Sequence, residues 1–382
     1  VTTSRRTRWP DESAFRYHVE MFLHRIDIFR LRNLHALSLN PAPGINLITG
    51  PNASGKTSIL EAIHLLSYAR SFRTARIADL ITQGSDSMVV SGRLRQTESE
   101  RRIGIGFRGN RREIRIDGQT AASRAELLGN LPIRLIDPAR HTLMDDSPRA
   151  RRRFLDWGVF YHEPSYLEAW RNYRRALNQR NAALKRRERQ GAILWGQEAA
   201  KYGKIVSRCR RDYLEAFTTH FVATARQLGL GENLELRYLP GWTGEKDLLT
   251  ALTDDLDKDL RAGCTHSGPH RDDFMVLHGG RPVRRRFSRG QMKLLAYALI
   301  LAQGRPMTAP GCLLIDDVAS ELDLKNQALL NDVIVHSKEQ IFITATHSEA
   351  MAGLLPHVDR IFRLKQGGLT SPSPHSPSDK DL

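Results

Sequence analysis

At 382 residues the chain can bury one large composite core or two domains, and its formal charge of +16 makes a polyanionic partner the first expectation. Arginine supplies 47 of the 58 basic residues; codon preference would explain arginine over lysine, but not the excess over 42 acidic residues, and arginine is the side chain that forks phosphates and stacks on bases. No stretch reaches the roughly 18 apolar residues of a membrane span, no secretory leader is visible, and three scattered cysteines (Cys209, Cys264, Cys312) suit a reduced, cytoplasmic setting.

Residues 1–20 are polar and irregular, an expected disordered or start-site extension, and strand-like alternation begins just past Met21 with Phe22, His24, Ile26 and Ile28. Ile45, Leu47 and Ile48 then read as a buried strand. It runs into Gly50-Pro51-Asn52-Ala53-Ser54-Gly55-Lys56-Thr57, which opens onto a helix with apolar positions 59, 62, 63 and 66. A Gly-rich turn alone would say little, but a strand before and a helix after are what a phosphate-binding loop requires. Its glycines let successive N–H groups converge on a β-phosphate at the positive end of the helix. Lys56 is expected to reach the β and γ oxygens, and the Thr57 hydroxyl to ligate Mg²⁺ beside ATP.

Short alternating segments follow at Met88–Val90, Arg102–Phe107 and Glu113–Ile116, the last closed by an Asp117-Gly118 turn. From Ser147-Pro148, a cap and first-turn proline, the pattern turns helical. Tyr166, Trp170, Tyr173, Leu177 and Leu184 mark one long helix; Tyr202, Val206, Cys209, Tyr213 and Phe217 mark a second. Gln190-Gly191 reads as the turn between them. At roughly 25 to 35 residues each, the pair would measure ~40–50 Å.

Near Cys264 the strand-helix alternation returns. Ser288-Arg289-Gly290-Gln291 opens an apolar helix and forms a second anion site: a hydroxyl, a bare backbone N–H and a positive dipole end. Cys312-Leu313-Leu314-Ile315 is a buried strand ending in Asp316, expected to hold Mg²⁺ through water, and Asp317, expected to orient an attacking water. Ser320 and Asp323 follow at once. A further buried strand, Gln340–Thr346, carries His347 at its tip. These boundaries divide the chain into 21–146 and 263–368, two parts of one ATPase core, with 147–262 as a helical lobe and connecting segment and 369–382 as a Ser/Pro-rich tail expected to be disordered. The Cys264, His266, His270 and His278 group lacks a paired-ligand spacing and reads as structural.

In this order the motifs resemble the ABC-type ATPases, and within them the RecF family of bacterial recombinational repair. The segments Ser147–Trp157 and Ser267–Asp273 resemble that family more specifically, because transporter ATPases lack them. The resemblance implies an α/β ABC-type head, a P-loop core with an antiparallel β subdomain, interrupted by a helical lobe. It implies catalytic roles for Lys56, Asp316, Asp317 and His347, the last as a γ-phosphate contact. It also implies a signature, Ser288-Arg289-Gly290-Gln291, acting in trans across an ATP-dependent homodimer, with Ser320 and Asp323 in the D-loop. RecF-like proteins bind single- and double-stranded, gapped DNA in the ATP state, work with RecR and RecO, favour RecA loading, and take part in the SOS response; no membrane is involved. The stretch Leu135–Arg140 offers no Mg²⁺-sensing Gln.

Lys56 and Ser288 lie 232 positions apart, more than a transporter ATPase subunit allows, while the insert is too short for the long arms of chromosome-maintenance heads. A nuclease with such a head would need a further acidic cluster, for which there is no room after Asp323. Asp317 is one methylene shorter than the Glu of transporter heads, so slow hydrolysis, a switch and not a motor, is expected. For DNA the candidates are Arg151, Arg152, Arg174, Arg175, Arg186 and Arg187, with further clusters at Arg208, Arg210 and Arg211 and at Arg284–Arg286. Such contacts would hold the phosphate backbone without reading bases.

Overall fold

The computed structural model describes residues 21–96, 99–109, 111–121, 123–137, 143, 148–243, 246–304 and 311–370. The expected extension 1–20, the capping Ser147 and the tail from Ser371 lie outside these residues. The chain divides into two compact units, 1–138 with 308–382, and 139–307. The signature segment therefore shares a unit with the helical lobe, whereas the boundaries read from the sequence put it with the ATPase core.

The first unit holds two sheets. One is parallel except at its edge, in the order β15-β14-β3-β13-β12-β8 (β3 Ile45–Thr49, β8 Ile133–Ile136, β12 Cys312–Ile315, β13 Gln340–Ala345, β14 Arg360–Lys365, β15 Gly368–Leu369). Strands β3, β12 and β13 are buried throughout, as continuous apolar runs in a parallel sheet must be. The other is antiparallel, β2-β1-β4-β5-β6-β7 (β1 Met21–Leu31, β2 Leu34–Leu39, β4 Ser87–Gln96, β5 Ser99–Arg108, β6 Arg111–Ile116, β7 Gln119–Thr120). Asp117 and Gly118, at φ 50° and 84°, close β6 onto β7 as a two-residue hairpin.

Strand β1 departs from the expected phase. A register shift between Leu23 and Arg25 lets Leu23, Ile26 and Ile28 all face inward, leaving Phe22 and His24 only half-buried. Helix α1 (Lys56–Tyr68) fills the core through Ile59, Leu60, Ile63 and Leu66, and α2 (Arg124–Asn130) adds Leu127. Gln340, 3 % exposed, links the two sheets: its amide donates to the Leu23 and Ala42 carbonyls and accepts from the Leu23 N–H. Cys312 Sγ also donates to it, and burial pushes that thiol up to about 12.

The second unit packs a three-stranded sheet, β11-β10-β9 (β9 Leu234–Leu239, β10 Asp273–His278, β11 Arg281–Pro282), against α3 (Pro148–His162) and α5 (Arg189–Gln227), with α4 (Tyr166–Lys185) and α8 (Arg289–Ala302) packed on α5 and two short helices, α6 (Leu248–Asp254) and α7 (Leu256–Ala262), beside them. An aromatic column, Tyr213, Phe217, Phe221 and Phe154, binds α3 to α5 at ring separations of 5.6 to 6.2 Å.

The two long helices are unequal, 20 and 39 residues against the even pair expected. Their turn falls at Arg186–Glu188, upstream of Gln190-Gly191. Arg187 takes the left-handed conformation (φ 58°), donating to Leu184 O while Glu188 donates to Ala183 O, the paired bonds that end a helix without glycine. Gly191 is needed for another reason. A Cβ there would stand 3.3 Å from Ala183 Cβ, so the glycine permits the close start of α5 against α4.

Candidate nucleotide site and nucleic-acid interface

The parallel sheet carries the loop Gly50–Thr57 from the end of β3 into α1. Gly50 must be glycine: a Cβ would meet Leu364 O at 2.4 Å and Ser54 Oγ at 2.7 Å. Ala53 and Gly55 also take positive φ, 63° and 108°, which turns the chain into the helix. Lys56, 8 % exposed, folds over the loop and donates to the Gly50 and Pro51 carbonyls at 2.7 and 3.0 Å. Burial lowers its ammonium below the usual lysine value, opposed by the carboxylates of Asp317 and Asp316. A cation held in this way, with only backbone carbonyls as direct partners, is ready to exchange them for phosphate oxygens.

Thr57 and Asp316, 259 positions apart, meet here: Thr57 Oγ1 donates to Asp316 Oδ1 at 3.0 Å. The sheet order explains it. Strand β13 sits between β3 and β12, so the C-terminal ends of the loop strand and the carboxylate strand open side by side. A hydroxyl and a carboxylate are the hard oxygen donors Mg²⁺ takes when phosphates and water complete its shell. No cluster of three or more His, Cys, Asp or Glu suited to a metal occurs among the described residues. His270 bonds Tyr173 and Thr265 O, and His266 bonds Asp259.

Asp317 takes a left-handed conformation (φ 42°, ψ 42°) and donates its N–H to Thr344 Oγ1 at 2.9 Å. The same hydroxyl donates to Asp316 Oδ1 at 2.7 Å. The motif reading passed over Thr344, whose signal was one hydroxyl in an otherwise apolar strand core. It also passed over Asn33, which donates to Ala53 O and accepts from Ser58 Oγ, bracing the loop from the β1–β2 turn. On α1 itself, fully buried Glu61 accepts from Arg32 Nε and Nη2, at 2.7 and 2.9 Å. His347 is exposed beyond β13, its Nδ1 3.1 Å from Thr346 Oγ1. Helix α9 (Leu324–Val335) is capped by Asp323, which accepts the Asn326 N–H; the Ser320 side chain lies outside the described set.

In the second unit Ser288 caps α8 in a reciprocal box. Its Oγ accepts the Gln291 N–H while Gln291 Oε1 accepts the Ser288 N–H. With its oxygen so engaged, the hydroxyl proton remains free to meet an anion at the helix end. Ser288, Arg289, Gly290 and Gln291 are all exposed.

The arginine candidates separate sharply. Arg151, 7 % exposed, forks Asp273 through Nε and Nη2 at 2.7 and 2.8 Å, and Arg152 donates to Asp272 O. Arg151, buried and forked on a carboxylate, is not available to a phosphate backbone, and that expectation is corrected; Arg152 is half-buried with one nitrogen on a backbone carbonyl. Arg210 is buried likewise, bonded to Asp156, Asp272 and Pro269 O. A sequence shows charge but not which charges find buried carboxylates. Arg174 and Arg175 stay exposed on one face of α4, Arg174 lying 5.0 Å over the Trp170 ring. Arg187 is exposed, and Arg186 forks Glu188 at the surface.

Comparison with known proteins identifies the family. The family model described as "RecF/RecN/SMC N terminal domain" matches residues 22–369. A DNA replication and repair protein RecF of Chromohalobacter salexigens is 40 % identical, over 87 % of this chain and 94 % of that relative. The RecF of Photorhabdus laumondii is 38 % identical over 91 % and 98 %. A solved structure of the recombination mediator protein RecF with ATP, in the RecFOR pathway, superposes with a TM-score of 0.81 at 28 % identity, covering 94 % of this chain and all of that one. An Smc head domain from Pyrococcus furiosus, bound to the C-terminal domain of ScpA, shares the fold at a TM-score of 0.58 and 18 % identity, covering 91 % of this chain and 95 % of that one. No helix among the described residues is long and apolar enough to cross a membrane. The chain belongs to the RecF/RecN/SMC family of ATPase heads and, within it, to the RecF proteins of DNA replication and repair.

Proposed function

We propose that the chain is an ATP-gated DNA clamp of recombinational gap repair, the RecF member of a RecFOR-type pathway. ATP occupies Gly50–Thr57, with Lys56 on the β and γ oxygens. Mg²⁺ is held by Thr57 and Asp316, and neutralises charge on the phosphates. Asp317 orients water, His347 contacts the γ-phosphate, and Ser288, Arg289, Gly290 and Gln291 of a second copy close over it, with Ser320 and Asp323 lining the join. Closure creates the grip on single- or double-stranded DNA at gaps. RecR and RecO act on the clamped state and RecA loading follows, with SOS induction as the downstream consequence. The short Asp317 carboxylate makes hydrolysis a slow release step. The observation that carries this reading is the meeting of Thr57 and Asp316 at 3.0 Å across 259 positions, at the mouth of a phosphate loop.

The test combines light scattering with retention of gapped DNA at modest salt. Mass doubling and DNA retention are expected with ATP and not ADP, and both are lost in Lys56→Met together with nucleotide binding. Ser288→Arg should keep ATP binding and lose doubling. Doubling that survives Ser288→Arg refutes the trans arrangement; failure to retain DNA with ATP refutes the clamp.

A further inference from the structure

We infer that Thr344 is a positioning residue of the nucleotide site: its hydroxyl sets both the Mg²⁺-side carboxylate, Asp316, and the backbone of the water-orienting residue, Asp317. The inference rests on the nucleotide-site reading above and adds a residue to it.

Strand β13 is Gln-Ile-Phe-Ile-Thr-Ala, buried at every position, and Thr344 is fully inaccessible. A hydroxyl in the middle of a parallel sheet costs stability unless it is hydrogen-bonded, and the bonds it finds here are not ordinary ladder contacts. Thr344 pairs with Ile48 on β3, two residues before Gly50. On the other side Ile343 pairs with Ile315 on β12, which brings Thr344 level with Asp316. It therefore stands between the two strands that deliver the phosphate loop and the carboxylate.

The hydroxyl has one proton to give, and its direction is determined. The oxygen accepts the Asp317 N–H at 2.9 Å, so the proton goes to Asp316 Oδ1 at 2.7 Å. Two consequences follow. First, Asp316 Oδ1 receives two hydroxyl donors, Thr57 at 3.0 Å and Thr344 at 2.7 Å, which hold that oxygen in place and leave Oδ2 outside both bonds. Second, the bond from the Asp317 N–H anchors the peptide that leads into a non-glycine residue in the left-handed region. One side chain thus aligns consecutive residues with different tasks, and partners of this outer kind change metal affinity or activity by about 10–100-fold when removed.

The experiment compares wild type, Thr344→Val and Thr344→Ser by fluorescence titration with a mant-labelled ATP, in EDTA and across a Mg²⁺ series, with thermal melts as the folding check. Val keeps shape and removes the hydroxyl; Ser keeps the hydroxyl and removes a methyl. We expect Val to raise the half-saturating Mg²⁺ by about 10–100-fold while metal-free nucleotide affinity stays within about twofold, and Ser to return to within about threefold of wild type. Val with wild-type Mg²⁺ dependence overturns the inference, as does Ser failing as badly as Val, which would assign the effect to packing. Should Val fail to fold, the Ser titration and an Asp316→Asn comparison decide: Ser matching Asp316→Asn also overturns it. Wild type that binds no nucleotide removes the underlying site reading, and this inference with it.

Discussion

Replacing Arg210 with Met should cost the fold several kcal/mol, because its guanidinium ties the segment 147–157 to the segment 267–273. Arg210, on α5, is 3 % exposed. Its Nε and Nη2 reach Asp156 Oδ1 at 2.9 and 2.6 Å, and its Nη1 reaches Asp272 Oδ2 and Pro269 O at 3.0 and 2.7 Å. Asp156 lies in the first segment; Pro269 and Asp272 lie in the second. Burial opposes the charge, yet Asp156, Tyr166 and Asp272 hold the guanidinium more firmly protonated than a free arginine. Asp272 is fully buried and also accepts from Tyr238 and from the Gly241 N–H at 2.7 Å. Methionine would fill most of the volume and leave that carboxylate without its counter-ion, a loss of about 3–5 kcal/mol. Arg186→Met is the control. It breaks a pair whose side chains are 62 % and 50 % exposed, and an exposed pair of this kind contributes about 0–1 kcal/mol. Urea denaturation followed by far-ultraviolet circular dichroism measures both, and adding Asp272→Asn to Arg210→Met should recover part of the loss. An Arg210→Met loss no larger than that of Arg186→Met would refute the reasoning.

Two further outcomes are expected. His64 donates to Arg70 O and stacks on Tyr68 at 4.3 Å; burial holds its pKa down to about 4 against an ordinary 6.5, opposed by the bond to the Arg70 carbonyl and the Glu61 charge and aided by the Arg70 charge. The unfolded chain therefore takes the proton first as pH falls, so stability is full above about 6.5, declines toward pH 4, and should lose this slope in His64→Gln, measured by denaturation across that range. For DNA, Arg174→Ala with Arg175→Ala should flatten the dependence of log affinity on log salt by about 0.9 per lost phosphate contact. Arg151→Ala should lower stability and leave that slope unchanged, and an unaltered slope in the α4 double variant would remove this face from the interface.

Much of the site was legible because phosphate binding is local chemistry. Gly50–Thr57 needs only its own backbone, the strand before and the helix after, and Ser288 with Gln291 caps its helix within four residues. Asp316 was readable as a polar end to an apolar strand. What periodicity could not show was which long-range partner each polar group would find. Arg151 and Arg174 are alike as letters in a basic helical segment, but one is buried on Asp273 and the other is exposed over Trp170. The turn at Arg186–Glu188 was missed because glycine at 191 serves close packing and an arginine at 187 takes the left-handed position. The β1 phase was missed because a register shift leaves no composition signal.

The amino-acid order alone thus determined the phosphate loop, the carboxylate strand, the alternation of an α/β core broken by helices, and the basic character that calls for a polyanion. Each follows from spacing a few residues long. Only the tertiary structure decided that Thr344 would join Asp316 to Asp317, that Arg210 would tie Asp156 to Asp272, and which arginines stay exposed. Those outcomes depend on contacts between residues 27 to 122 positions apart, and the parallel strand order and helix packing that create them are properties of the folded whole.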